Sequence, residues 1–273
     1  MINFLHKLFS GTSQPTDSFF LIAGPCVVES RGVLLETATG INRICQKLDI
    51  PLVLKASYRK ANRTSASSFT GIGDEAGLEL IKEVAENLNL PSTTDIHNTA
   101  DAAKAAGYVD ILQIPAFLCR QSELLEAAAK TGKIVNIKKG QFLSGQAMKF
   151  AADKVIHAGN EKVMLTERGT TFGYQDLVVD YRNIPWMQET GYPVIMDCTH
   201  SLQQPNQTSG VTGGNPKLIG TIAKAAIAAG ADGLFIETHP RPAEALSDGA
   251  NMLPLAELEG LLVQLKTLWK AVH

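Results

Sequence analysis

The sequence predicts an α/β fold, a single-domain (β/α)8 TIM barrel over residues 1–273, with residues 1–17 as a short N-terminal extension. Three observations predict it. Short apolar runs recur along the chain, each followed by a polar or glycine-bearing turn and then a segment of helical period. Eight such units alternate, which argues for parallel strands joined by helical crossovers. The 273 residues also match the ~250 that such a barrel takes. A doubly wound open sheet is the alternative architecture for the same alternation.

The elements follow in order. Residues 19–23 (FFLIA) make the first strand and residues 33–47 the first helix. Residues 51–54 (PLVL) make the second strand, and a long loop, 56–73, follows. Asp74 is the expected N-cap of a helix over 74–88, whose Gly77, Ile81, Val84 and Leu88 share one face. The third strand, 90–94, is short, and a helix over 99–106 succeeds it. Residues 109–113 (VDILQ), 134–137 (IVNI) and 163–165 (VML) are the next three strands, with helices at 121–130, 145–157 and 184–189. Residues 193–196 (PVIM) form the seventh strand. Asn215 and Pro216 then open a helix to 229 as cap and first-turn proline. Residues 233–236 (GLFI) are the eighth strand, and a helix over 255–271 closes the chain. Loops as long as 56–73 and 197–214 inside a compact domain are usually functional.

Composition narrows the function. Lys plus Arg number 25 and Asp plus Glu 27, a formal charge of −2, so no globally basic nucleic-acid binder is expected. An apolar fraction of 45% and a mean hydropathy of +0.02 exclude a disordered chain. The four cysteines, Cys26, Cys45, Cys119 and Cys198, show no CxxC spacing. A disulfide framework and a compact zinc knuckle are therefore not expected, and the reducing cytoplasm is the expected compartment. No signal segment is read at the N-terminus, and no stretch approaches the ~18 apolar residues of a membrane span. No membrane partner is expected.

In a barrel the active site lies at the C-terminal strand ends. Read there, the chain offers Cys26, Lys55, Asp95 with His97, Gln113, Lys138, Arg168, Asp197 with His200, and Glu237 with His239. Lys55, Lys60, Arg63, Lys138 and Arg168 form a cationic subset suited to phosphate or carboxylate groups, since each offers a charge-assisted hydrogen bond. Surface lysines are common, but five in loops of one face fit a ligand with more than one negative group. Residues 60–68 add hydroxyls and backbone N–H groups. A second subset, Cys26, His200 and Glu237 with Asp248 or His239, has the donor chemistry of a divalent-metal site. The ordinary fate of a free cysteine is burial as a small hydrophobe, and Cys45, Cys119 and Cys198 are read that way.

Over about residues 18–270 the chain resembles the 3-deoxy-D-manno-octulosonate-8-phosphate synthases. Eight motifs carry the resemblance in order. They are Ile22-Ala23-Gly24-Pro25-Cys26 with Glu29-Ser30, Lys55-Ala56-Ser57 with Lys60-Ala61-Asn62-Arg63, Thr94-Asp95-Ile96-His97 and the run from Gln113 to Gln121. Asn136-Ile137-Lys138-Lys139-Gly140-Gln141, Thr166-Glu167-Arg168-Gly169, Asp197-Cys198-Thr199-His200-Ser201 and Phe235-Ile236-Glu237-Thr238-His239-Pro240 complete the set.

The resemblance implies condensation of phosphoenolpyruvate with D-arabinose 5-phosphate and water, giving the eight-carbon sugar acid phosphate and inorganic phosphate, in lipopolysaccharide precursor biosynthesis. It implies that Lys55, Lys60, Lys138, Gln141 and Arg168 hold phosphoenolpyruvate, and that Asn62, Arg63, Thr64 and Asp95 hold the pentose phosphate. The family commonly has serine where Thr64 stands; the hydroxyl is kept. Arg120 is expected to reach a neighbouring subunit's phosphate pocket in a homotetramer. One class of the family has asparagine at the position of Cys26 and uses no metal. The other has cysteine and holds a divalent metal, here by Cys26, His200, Glu237 and Asp248. Lys138, His200, Asp248 and Cys26 are the expected catalytic residues. Fe, Zn, Mn and Co all suit one thiolate with imidazole and carboxylates, and His239 falls to a supporting place beside the ligands.

The nearest alternative is a 3-deoxy-D-arabino-heptulosonate-7-phosphate synthase acting on erythrose 4-phosphate. Its second-strand loop resembles Lys-Pro-Arg-Thr-Ser, whereas this chain has Ala61-Asn62 before Arg63. A Schiff-base aldolase would use Lys138 as nucleophile. A non-catalytic phosphosugar-binding barrel would keep the cations but has no need of Cys26, His200, Glu237 and Asp248. Because asparagine serves the metal-free class, Cys26→Asn is expected to retain some turnover in chelator, read as phosphate release. A dead variant shows that more of the surroundings separate the two classes.

Overall fold

The computed structural model describes residues 3–10, 18–61, 68–174, 176–204 and 213–273. Eight parallel strands run in sequence: β1 (Phe20–Gly24), β2 (Leu52–Lys55), β3 (Ser92–Asp95), β4 (Ile111–Ile114), β5 (Ile134–Lys138), β6 (Val163–Glu167), β7 (Val194–Asp197) and β8 (Gly233–His239). Each pairs with its successor, and β1 pairs with β8 from Phe20↔Gly233 to Gly24↔Glu237. That last pairing closes the sheet and decides for the barrel over the open sheet.

Eight helices fill the crossovers after an N-terminal α1 (Asn3–Leu8): α2 (Arg31–Leu48), α3 (Asp74–Leu88), α4 (Thr99–Ala106), α5 (Ser122–Lys130), α6 (Met148–His157), α7 (Asn183–Gln188), α8 (Ile219–Ala228) and α9 (Leu255–Val272). Local chemistry sets their starts. Ser30 Oγ accepts the Val33 N–H at 3.2 Å to begin α2. Asn98 and Asp101 exchange side-chain and backbone bonds in a capping box at α4.

Two expected caps need correction. Gly73, at φ +104°, holds the cap of α3, and Asp74 is its first helical residue. The turn into α3 needs a backbone that side-chain-bearing residues seldom adopt, and the Asp74 carboxylate instead accepts from Arg59 at 2.8 Å. Asn215 makes no side-chain cap bond, and Pro216–Leu218 form a 3-10 turn before α8.

The apolar interior falls into two parts. The larger lies between strands and helices and includes Leu21, Leu54, Leu112, Ile137, Leu165, Met196 and Ile236. The smaller fills the barrel's N-terminal half with Phe20, Ile22, Val53, Ile111, Ile134, Met164, Ile195 and Phe235, and α1 presses Phe4, Leu5 and Leu8 onto it. Two-residue alternation along a strand places the next inward positions higher up. These are Lys55, Gln113, Asn136, Thr166, Asp197 and Glu237, all buried. Six of the eight strands are thus apolar at the base of the barrel and polar at its mouth; β3 is polar throughout and β1 ends in Gly24.

The strands therefore run one to three residues beyond their apolar stretches. Lys55, Asp95, Lys138, Glu167, Asp197 and Glu237 belong to the hydrogen-bonded ladder rather than to the loops after it. Their charges are paired, inside the mouth for all but Glu167, which meets the buried Lys139, so polarity does not end the strand.

Gly24 has no room for a side chain. A Cβ built there would lie 1.9 Å from the Lys55 carbonyl oxygen. Gly24→Ala is expected to force the ends of β1 and β2 apart and cost roughly 3 kcal/mol, read by chemical denaturation. A loss below 1 kcal/mol would show that the two strand ends yield freely.

Candidate active site

The mouth of the barrel holds paired charges rather than free ones. Lys55 donates to Glu237 Oε1 and to the Cys26 carbonyl at 3.0 Å. Lys138 Nζ donates to Asp197 Oδ2 at 2.6 Å and lies 3.7 Å from the Phe235 ring centre. Lys60 Nζ stands 4.0 Å from both Asp95 Oδ2 and Glu237 Oε1. Arg168 donates to the His200 carbonyl at 2.5 Å and to Gln203 Oε1 at 2.9 Å. Phe235 is the floor beneath this group, with the His200 ring 5.6 Å away and His200 Nδ1 3.5 Å from Lys138 Nζ. Its π-face favours the ammonium of Lys138 where water is excluded.

A chain of hydrogen bonds crosses the strands at the same level. Ser57 Oγ donates to Asp95 Oδ2 at 2.7 Å, and Gln113 Nε2 donates to Asp95 Oδ1. Asn136 Nδ2 reaches Gln113 Oε1 at 3.5 Å, and Thr166 Oγ1 donates to Asn136 Oδ1 at 2.7 Å. Desolvation opposes the charge of Asp95, but Lys55 and Lys60 outweigh it and hold the carboxyl well below the usual range. Glu237 and Asp197 are depressed for the same reason, by Lys55 with His200 and by His200 with Lys138. Burial lowers Lys138 despite Asp197. Lys60 is also opposed by burial, yet Cys26, Glu237 and Asp95 raise it.

Cys26 follows β1 and meets residues from the far end of the chain. Its Sγ lies 2.9 Å from Ser247 Oγ and donates to Asp248 Oδ2 at 3.4 Å. One ligand atom each from Cys26, Glu237 and Asp248 lie within 4.8 Å of one another. Burial, and then the Glu237 carboxylate, push the Cys26 thiol up to about 12. His200 stands beside the triad, its Nε2 3.5 Å from Glu237 Oε1. Asp197 Oδ2 takes up His200 Nδ1 at 2.7 Å, and Asp197 Oδ1 accepts the His200 N–H at 2.8 Å, so the ring turns Nε2 toward Glu237.

The donors fit a divalent cation. Glu237 Oε2 is buried without a hydrogen-bond partner among the described residues. An orphaned carboxylate oxygen is costly unless a donor or cation meets it, and it lies in a cluster of thiol and carboxylates. Ligation would require Cys26 to give up its proton.

The structure gathers Cys26, Lys55, Lys60, Asp95, Lys138, Arg168, His200, Glu237 and Asp248. Gln141 is half-buried in the loop after β5, where its carbonyl accepts the Thr171 N–H at 3.0 Å. Arg120 is exposed on the loop after β4. Asn62, Arg63 and Thr64 lie outside the described residues, as does 205–212 of the 197–214 loop. Contributors given no role of their own from sequence include Asn136, Phe235 and Ser247. Asn136 and Phe235 look like ordinary strand residues, and only their inward register reveals them. Ser247 adjoins Asp248, and that adjacency was the available signal.

The site defines a class: a (β/α)8 barrel with buried cations for an anionic substrate beside a corner that can hold a metal. The chain belongs to the DAHP synthetase I family, whose model matches residues 9–273. It is similar to proteins named 2-dehydro-3-deoxyphosphooctonate aldolase in several bacteria. With that of Koribacter versatilis it is 51% identical over 256 residues, 93% of this chain and 92% of the relative. With that of Trichlorobacter lovleyi it is 50% identical over 248 residues, 91% of each. With that of Rhodopseudomonas palustris it is 53% identical over 243 residues, 89% of this chain and 85% of the relative.

Asp95 has a stability consequence with a definite sign. Its folded pKa is depressed, so its contribution is complete above the unfolded value near ~4 and is lost as pH falls through the lower folded value. Asp95→Asn is therefore expected to destabilise the protein most at neutral pH, with the gap to wild type closing below about pH 4 in denaturant titrations. A gap independent of pH would mean that hydrogen bonding, not charge, sets the role of Asp95.

Proposed function

We propose that this protein condenses phosphoenolpyruvate with D-arabinose 5-phosphate and water, giving 3-deoxy-D-manno-octulosonate 8-phosphate and inorganic phosphate, a transferase-type step in lipopolysaccharide precursor synthesis. The observation that carries it is the adjacency, in one barrel mouth, of buried Lys55, Lys60, Lys138 and Arg168 to the Cys26–Glu237–Asp248 triad. Relatives about half identical over nine-tenths of the chain bear the name of that aldolase. In the reaction, C3 of the enol forms a bond to the aldehyde carbon, water adds at C2, and the bond from C2 to the phosphate oxygen breaks.

The residues divide this work. Lys55, Lys60, Lys138, Gln141 and Arg168 bind phosphoenolpyruvate, whose phosphate and carboxylate match their donors. Asn62, Arg63, Thr64 and Asp95 bind the pentose phosphate. Burial loosens the proton on Lys138 Nζ while Asp197 holds its position, which makes it a donor to the phosphate oxygens. Phe235 and the apolar base close the barrel beneath the reactants and exclude water from that side.

Cys26, His200, Glu237 and Asp248 would hold a divalent ion, with Fe, Zn, Mn and Co all compatible with the donor set. Such an ion supplies Lewis acidity, polarising the aldehyde or orienting the attacking water. His200 is kept in the required ring orientation by Asp197.

A homotetramer fits the surface around Arg120. Phe117, Phe142, Phe150, Phe172 and Tyr174 are exposed on α6 and in the loops after β4, β5 and β6. Exposed large apolar groups gathered on one side mark interfaces. Four free buried cysteines accord with a cytoplasmic setting. No helix among the described residues is long and apolar enough to cross a membrane.

Purified protein with phosphoenolpyruvate is expected to release phosphate faster with arabinose 5-phosphate than with erythrose 4-phosphate. The reverse order overturns the substrate assignment in favour of the seven-carbon product. Removal of one preorganised donor costs about 10²–10³ in turnover, so Lys138→Met is expected to lose at least that much at a stable fold. Chelation is expected to abolish activity and added divalent metal to restore it. Full turnover in metal-free protein would falsify the metal assignment.

A further inference from the structure

Glu29 lies three residues beyond Cys26 in the segment between β1 and α2, and nothing above gives it a role. Its side chain is 7% exposed, and its Oε1 accepts the Leu246 N–H at 2.8 Å. Its Oε2 is 3.7 Å from Nε2 of His239, a side chain 2% exposed. His239 Nδ1 accepts the Arg241 N–H at 3.0 Å, which leaves the ring proton on Nε2, facing Glu29. Glu29 and His239 thus grip both ends of the 241–246 stretch through its backbone. That stretch leads directly to Ser247 and Asp248, which meet Cys26.

Among the described residues, the other polar side-chain bonds to this stretch lie at the surface. The Leu246 side chain is exposed, so its burial does not anchor the loop. Arg241 pairs bidentately with Glu36 at 3.2 Å, but both are half exposed and lie at the far end of the stretch from Asp248. Asp248 itself sits at φ 48°. A non-glycine residue in the left-handed region persists where its surroundings hold it there.

We propose that Glu29 is a positioning residue: by bonding the Leu246 N–H it sets the spacing between Cys26, on its own segment, and Asp248, on the loop it holds. One short segment then supplies the thiol and aligns the carboxylate opposite. The inference rests on the metal reading above.

Metal-free protein titrated with Co2+ tests it, read by the thiolate-to-cobalt charge-transfer absorption. Loss of a group that orients a ligand costs about 10–100-fold in metal affinity, and Glu29→Ala is expected to raise the cobalt dissociation constant by that factor. Glu29→Gln keeps the acceptor oxygen and is expected to restore most of the affinity. Leu246→Pro removes the N–H donor and puts Cδ where that hydrogen pointed, so the Glu29 carboxylate must turn away from the loop. Ala245, at ψ 136°, already has the backbone that precedes proline. It is expected to match Glu29→Ala, and the double variant to lose little more than either. Wild-type absorption matched by both Glu29→Ala and Leu246→Pro overturns the role of Glu29. A wild-type protein that gives no thiolate–cobalt band overturns the metal reading itself.

Discussion

Lys55 and Glu237 are both buried in the mouth of the barrel, and neither charge is tolerable there without the other. Desolvating an ion costs several kcal/mol, and removing one member of a buried pair costs about 3–5 kcal/mol. Lys138 on β5 with Asp197 on β7 repeats the arrangement, again across two strands, and Asp197 lies on the strand next to that of Glu237. These pairs explain why the mouth can be dry, charged and ordered together. They also explain how a chain of net charge −2 presents cations to a ligand. The positive groups are concentrated and held in fixed geometry, not present in excess. Preorganised charge of this kind acts on a bound anion without reorganising at the moment of reaction.

The same pairs link the parts of the site. Glu237 touches Lys55, approaches Lys60 and lies 3.5 Å from His200 Nε2, while its second oxygen has no hydrogen-bond partner among the described residues. Asp197 joins Lys138 to His200. The buried cations and candidate metal ligands are therefore one electrostatic unit. Beneath it, Phe235 gives both Lys138 and His200 an aromatic floor, and α1 seals the base of the barrel. The charged half rests on an apolar half, and in most strands the switch occurs within the strand.

Most of the fold was legible in the sequence because helix and strand periods are local. The helix over 99–106 was placed to the residue, and all eight strands were found. Strand ends were misplaced where apolarity stood in for hydrogen bonding, since Lys138, Glu167 and Glu237 continue the ladder as charged residues. The helix N-terminal to β1 was read only as part of an extension, because six residues offer too short a pattern. Asp74 looked like a cap because its residue type favours one, but the turn geometry selected Gly73.

Among site residues the charged ones, with Cys26 and Gln113, were legible, and the other neutral ones were less so. Lys55, Asp95, Lys138 and Glu237 stand out because a charge at a strand end has few structural reasons to be there. Asn136, Thr166 and Phe235 do not, since the same residues on an outward register would be unremarked. By itself the sequence determined the alternation of strand and helix, the set of charges at the mouth and Cys26 as the distinctive thiol. Only the tertiary structure decided which charges neutralise each other and which strand positions face inward. It alone brought Ser247 and Asp248 to Cys26 across more than 200 residues. The physical reason is that pattern and charge reside in neighbouring residues, whereas pairing and desolvation depend on closure of the barrel.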